Sequence, residues 1–197
     1  EEFGERVFAK VNISPNIKLG FLDIEDVDTK LFLSKASESI NKERIDIGEA
    51  FLNYSNLIGY DILVIDRLEY LENPDLVKYL VEGGHLLVLP INMDTESYSI
   101  LLEGERIALE YQSRNHLVEK EDILDFALSS EVFEKNNENI LFELKDFYSL
   151  PLNSNSIIKT TNRSLWNRYH IGEGIVDFFG FNLNIEDNDF SIKASFI

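Results

Sequence analysis

Apolar positions in this chain follow two rhythms. Between Tyr60 and Pro90 they come in short unbroken runs on either side of a helical pattern. Ile62, Leu63, Val64 and Ile65 form the first run, and Leu86, Leu87, Val88 and Leu89 the second. Such a run suits a strand covered on both faces. Between them, Leu76 with Leu80 and Val77 with Val81 pair at i, i+4 and predict a helix with one apolar face. Asn73 is placed to cap that helix. Pro74 falls at its first position, where a missing N–H costs nothing, and Gly83-Gly84 ends it. Strand, crossover helix and strand of this length predict a parallel βαβ unit.

Ahead of this unit the rhythm is mixed. Val7, Ala9, Val11 and Ile13 alternate with Arg6, Phe8, Lys10 and Asn12, which predicts a half-exposed edge strand over 6–13. Residues 17–24 read as a central strand. Asp28-Thr29 is placed to cap a helix running through Ile40, a short strand follows at 44–47, and 51–58 is a turn or short helix. After Pro90 a helix is predicted over 95–102, then one or two strands within 106–118. Residues 122–134 read as irregular or short helical, and 135–139 as a polar loop. The second rhythm then takes over: strands at 140–150, 156–161, 164–171 and 175–181, with Gly172-Glu173-Gly174 as a hairpin turn. The expectation is a single domain, 1–197, with a parallel α/β half and a β-rich part from about 140.

Composition narrows the function. With 44% hydrophobic and 27% charged residues the chain is globular. A net charge of −18 repels phosphate backbones and anionic lipid, so nucleic acid is not an expected partner. The absence of cysteine excludes disulfides, thiolate metal sites and a cysteine nucleophile. No apolar run approaches the roughly 18 residues a membrane helix needs. The chain starts Glu1-Glu2-Phe3 and its one methionine is Met93, so it is expected to be a processed product or an excised segment.

Few stretches carry chemistry. Asp23, Glu25 and Asp26 follow a predicted central strand, where α/β proteins bind ligands, and are weak candidates for a hard divalent cation. The bland alternative is a capping Asp28 beside solvated acids. The acidic run 184–189 lacks the glycine and final glutamate of a calcium loop. His85, His116 and His170 are scattered, without metal-ligand spacing. No phosphate-binding glycine loop follows the 86–89 strand, and no cofactor is expected. Trp166, Tyr169, Phe178, Phe179 and Phe181 suit a β-rich core better than a carbohydrate or peptide groove.

Four stretches together resemble the class I glutamine amidotransferase-like fold. More narrowly, they are similar to the C-terminal domain of bacterial membrane proteins related to the aerotolerance regulator BatA. They are VFAKVNISPNIKLGFLDI (7–24), DILVIDRLEYLENPDLVKYLVEGGHLLVLP (61–90), NMDTESYSIL (92–101) and WNRYHIGEGIVDFFGFNLNIEDNDFSIKASF (166–196). Gly172 and Gly174 match the family's closing turn, while Glu173 replaces its usual basic residue. The resemblance implies a three-layer, flavodoxin-like α/β fold with a mainly parallel sheet and an antiparallel extension. A working amidotransferase carries a cysteine on a sharp turn after a strand. The matching region, 89–94, has none, nor a G-x-S-x-G serine. The resemblance therefore implies a non-catalytic binding or assembly module of a membrane-anchored, extracytoplasmic envelope protein, held to the membrane by flanking segments and joined to a protein partner. Two other classes stay open: a carboxylate–metal hydrolase built on Asp23, Glu25 and Asp26, and a carbohydrate-binding module built on the late aromatics.

Overall fold

A computed structural model describes residues 17–22, 42–47, 52–89, 98–102, 105–124 and 139–181. The predicted edge strand at 6–13 and helix at 28–40 lie outside them. Among the described residues ten strands form one sheet. They are β1 (Ile17–Leu22), β2 (Lys42–Ile47), β3 (Ile62–Ile65), β4 (His85–Val88), β5 (Tyr98–Leu102), β6 (Glu105–Glu119), β7 (Ile140–Pro151), β8 (Ser156–Lys159), β9 (Arg163–Ile171) and β10 (Gly174–Phe179). Their order is β2-β1-β3-β4-β10-β9-β7-β6-β5, with β8 added on β9. Pairing is parallel from β2 to β10 and antiparallel from β10 onward.

The βαβ unit forms as its punctuation predicts. Helix α1 (Tyr54–Leu57) precedes β3, and α2 (Pro74–Val81) joins β3 to β4. The Asn73 side chain accepts from the backbone N–H groups of Asp75 and Leu76, so two orphan donors of α2 are satisfied. Strands β3 and β4 pair in parallel, Ile62 opposite His85 and Ile65 opposite Val88. Alternate residues feed two cores. Val64, Leu87 and Phe179 face one with Phe21 and Trp166, and Leu63, Leu86 and Phe178 face the other with α2. The inner face of α2 is Leu76, Tyr79 and Leu80. Val77 and Val81, predicted to join it, are 39% and 45% exposed.

The predicted fold class is corrected. Among the described residues strand predominates and α-helix is confined to α1 and α2, so this is a curled, mixed half-barrel sheet and not a three-layer, flavodoxin-like α/β fold. Two causes are visible. Tyr98–Leu102, read as the end of a helix, is the strand β5, paired antiparallel with β6. A five-residue stretch, Tyr-Ser-Ile-Leu-Leu, is too short to show a period, and tertiary pairing decides it. The stretch read as one or two strands is one strand of 15 residues, β6, against the 12 residues of β7. Their register shifts between Gln112 and Asn115, where Asp146 adopts φ 53° and accepts a hydrogen bond from Ser113 Oγ at 3.1 Å. A bulge of this kind bends the strand and sharpens its twist.

Candidate functional site

The change from parallel to antiparallel pairing falls on β10, and a buried charge sits there. Asp177 lies opposite Leu87 of β4 and Arg168 of β9. Its side chain is 1% exposed, in a strand that is otherwise apolar, Gly-Ile-Val-Asp-Phe-Phe. A lone buried carboxylate is tolerated only when donors replace its water shell. Four do so. Trp166 Nε1 donates to Oδ1 at 2.8 Å, and Arg168 donates through Nε to Oδ1 at 2.9 Å and through Nη2 to Oδ2 at 3.0 Å. His85 Nε2 meets Oδ2 at 2.7 Å. Two-residue alternation makes this convergence, since Trp166 and Arg168 share a face of β9 and lie across from Phe179 and Asp177. The Trp166 ring stacks on Phe179 at 4.8 Å, which leaves its N–H directed to the carboxylate.

Burial pushes the Asp177 carboxyl up, but the bonds from His85, Arg168 and Trp166 outweigh it and hold the group below its ordinary value. Against an ionised Asp177, the proton between the two groups is carried by His85 Nε2. The His85 and Arg168 side chains stay 27% and 36% exposed. The arrangement can orient an imidazole and store a charge. Its carboxylate oxygens are already engaged by the chain's own donors.

A second polar feature lies next to His85, where the chain enters β3 and β4. An open recess of about 210 Å³ is walled by Tyr54, Tyr60, Tyr79, Asp61 and Glu82, with Gly83-Gly84 beside them. Tyr79 is 4% exposed, and its hydroxyl lies 3.2 Å from the Tyr60 carbonyl and 3.3 Å from those of Asp61 and His85. The His85 N–H in turn donates to it at 3.2 Å. Burial, the largest cause, raises the Tyr79 phenol to about 12. Tyr54 donates its hydroxyl to Glu82.

Of the residues singled out in the sequence, Asp23, Glu25 and Asp26 and the run 184–189 lie outside the described residues. Among the described residues no three His, Asp or Glu side chains cluster as a metal site would require. Trp166, Tyr169, Phe178, Phe179 and Phe181 are each 6% exposed or less, so they fill the cores and offer no groove. Of the three histidines only His85 enters the buried centre. His116 lies near the end of β6 beside Phe147, with burial lowering its pKa, and His170 is exposed. Asp177 was passed over in the sequence, although one signal was there: a single acid inside an apolar strand.

No family model matches the chain, and no curated protein does. Among solved structures, the cytoplasmic protein STM1381 of Salmonella typhimurium LT2 superposes at a TM-score of 0.52 and 11% identity, covering 91% of this chain and 98% of its own. The cytoplasmic protein STM3548 of Salmonella typhimurium does so at 0.53 and 10%, covering 91% and 97%. A protein described as ThuA-like from Bacteroides uniformis matches at 0.48 and 10%, covering 92% and 90%. At such identities the two Salmonella proteins show a common fold and nothing finer. They correct the expected kinship with the amidotransferase-like domain of BatA-related membrane proteins. The extracytoplasmic envelope placement rested on that kinship and falls with it. Both proteins are described as cytoplasmic, and no helix among the described residues is long and apolar enough to cross a membrane.

Proposed function

We propose that this chain works by recognition, as a non-catalytic binding or assembly module for a protein partner. One observation carries the reading. The Asp177 carboxylate, one of two buried acids among the described residues, accepts from Trp166, Arg168 and His85 together. A carboxylate so engaged clamps three strands and has little left with which to bind a metal or take a proton. The acidic exterior, with a net charge of −18, then selects the partner: a protein presenting basic residues is steered in and an acidic one is turned away.

Calorimetric titration with a lysine-rich peptide and a glutamate-rich peptide of equal length tests this. The lysine-rich peptide binds at low salt and weakens as salt rises past the Debye screening range of about 0.1 M. The His85→Gln variant binds it equally well. Equal affinity for both peptides, or no binding at low salt, would overturn the reading.

A further inference from the structure

The recess beside α2 is built for a positive charge. Its walls offer the phenol rings of Tyr54 and Tyr60 and two carboxylates, Asp61 and Glu82, with the buried Tyr79 behind them, and among the described residues no lysine or arginine lines it. Aromatic faces attract a cation through their quadrupole, and a carboxylate at the same place supplies the countercharge. The chain itself demonstrates the chemistry at the rim. The ammonium of Lys78 lies 3.8 Å from the centre of the Tyr54 ring and 3.9 Å from Glu82 Oε1. Ring and carboxylate are locked to each other, since the Tyr54 hydroxyl donates to Glu82. That bond is the chief cause of the raised Tyr54 pKa. Behind them Tyr79 is fixed by four backbone contacts, so the wall is formed before any ligand arrives. Ile58, 57% exposed, lends the lining an apolar edge suited to a methylene stem.

We propose that this recess is a binding site for an alkylammonium group, namely the side chain of a lysine on the basic partner. This rests on the reading above and gives it a location. Lys78 sits at the entrance as an internal competitor: it occupies one face of Tyr54 and pairs with Glu82, so an incoming lysine must displace it.

Nitrogen-edited NMR with the whole chain tests the site, following the amides of Gly83 and Gly84. The probes are butylammonium chloride and a short capped peptide with one central lysine, beside the same peptide with norleucine. The lysine peptide gives saturable shifts at both glycines, tighter than butylammonium, and the norleucine peptide gives none. Tyr54→Leu and Glu82→Gln each weaken lysine-peptide binding about two- to fivefold. Lys78→Ala strengthens it by a similar factor, a gain that general damage to the fold would not produce. Non-saturable shifts, indifference to both Tyr54→Leu and Glu82→Gln, or butylammonium binding tighter than the peptide would overturn the inference. If the glycines stay silent while the lysine-rich peptide still binds in a salt-dependent way, the site is wrong and the general reading stands. If neither binds, both fall.

Discussion

Asp177 shows how much one side chain can hold. It is buried, it is charged, and it joins β4, β10 and β9 through donors from three different positions. Replacing it with alanine strands the Arg168 guanidinium and the indole N–H, and urea unfolding should show a loss of about 3–5 kcal/mol. The pH dependence follows from the direction of its shift. A carboxyl held below its unfolded value of 3.8 contributes stability above that value and loses it as pH falls through the folded value. The stability of the native chain should therefore fall more steeply below about pH 4 than that of Asp177→Asn. Tyr79 has the opposite sign. Its phenol titrates at about 12 when folded against 10.0 when free, so stability is full below pH 10 and drains away as pH rises toward 12. The loss is about 2–3 kcal/mol, and Tyr79→Phe should abolish it in alkaline melts. Neither residue announced itself strongly in the sequence. His85 and Asp177 are 92 positions apart, and only strand pairing brings them to hydrogen-bond distance.

At the scale of elements, local grammar was readable where it was complete. The cap at Asn73, the proline at 74, the glycine pair at 83–84 and the hairpin at 172–174 all stand where their chemistry put them. The hairpin also packs against the end of α2, which its glycines alone did not reveal. Glu173 N donates to the Val81 carbonyl at 3.0 Å, and Ile175 N to that of Gly84 at 3.0 Å. A Cβ on Gly174 would stand 2.1 Å from the Leu80 carbonyl oxygen and 2.5 Å from that of Gly84. Both obstacles are backbone and cannot swing aside, so Gly174→Ala should cost about 2–4 kcal/mol in urea unfolding. Glu173→Ala, beside it and exposed, should stay within about 0.5 kcal/mol. The misreadings have equally local causes. Val77 and Val81 share the i, i+4 spacing of Leu76 and Leu80, yet the sheet takes only one stripe of the helix. Tyr98–Leu102 carries no cap or alternation to separate helix from strand, and its partner β6 settles the matter.

For the whole molecule, the parallel half was legible and the sheet was not. Strands β3 and β4 are short, mainly apolar runs bounded by turn residues, but nothing local says that β10 lies beside β4. That pairing continues the parallel row and hands it to an antiparallel one, and it turns an expected flavodoxin-like layer into a mixed, curled sheet. The same pairing brings His85 to Asp177, so the sheet order and the candidate site share one hidden contact. The acidic balance, by contrast, needs no structure to read, and on the proposed reading charge selects the partner while the clamp holds the sheet. Assaying the native chain and His85→Gln side by side against a broad panel of ester, phosphate, amide and glycoside substrates tests that most directly. The account predicts no turnover by either protein, with the variant differing only in a lower melting temperature. Turnover by the native chain that His85→Gln abolishes, while its melting temperature holds, would contradict it.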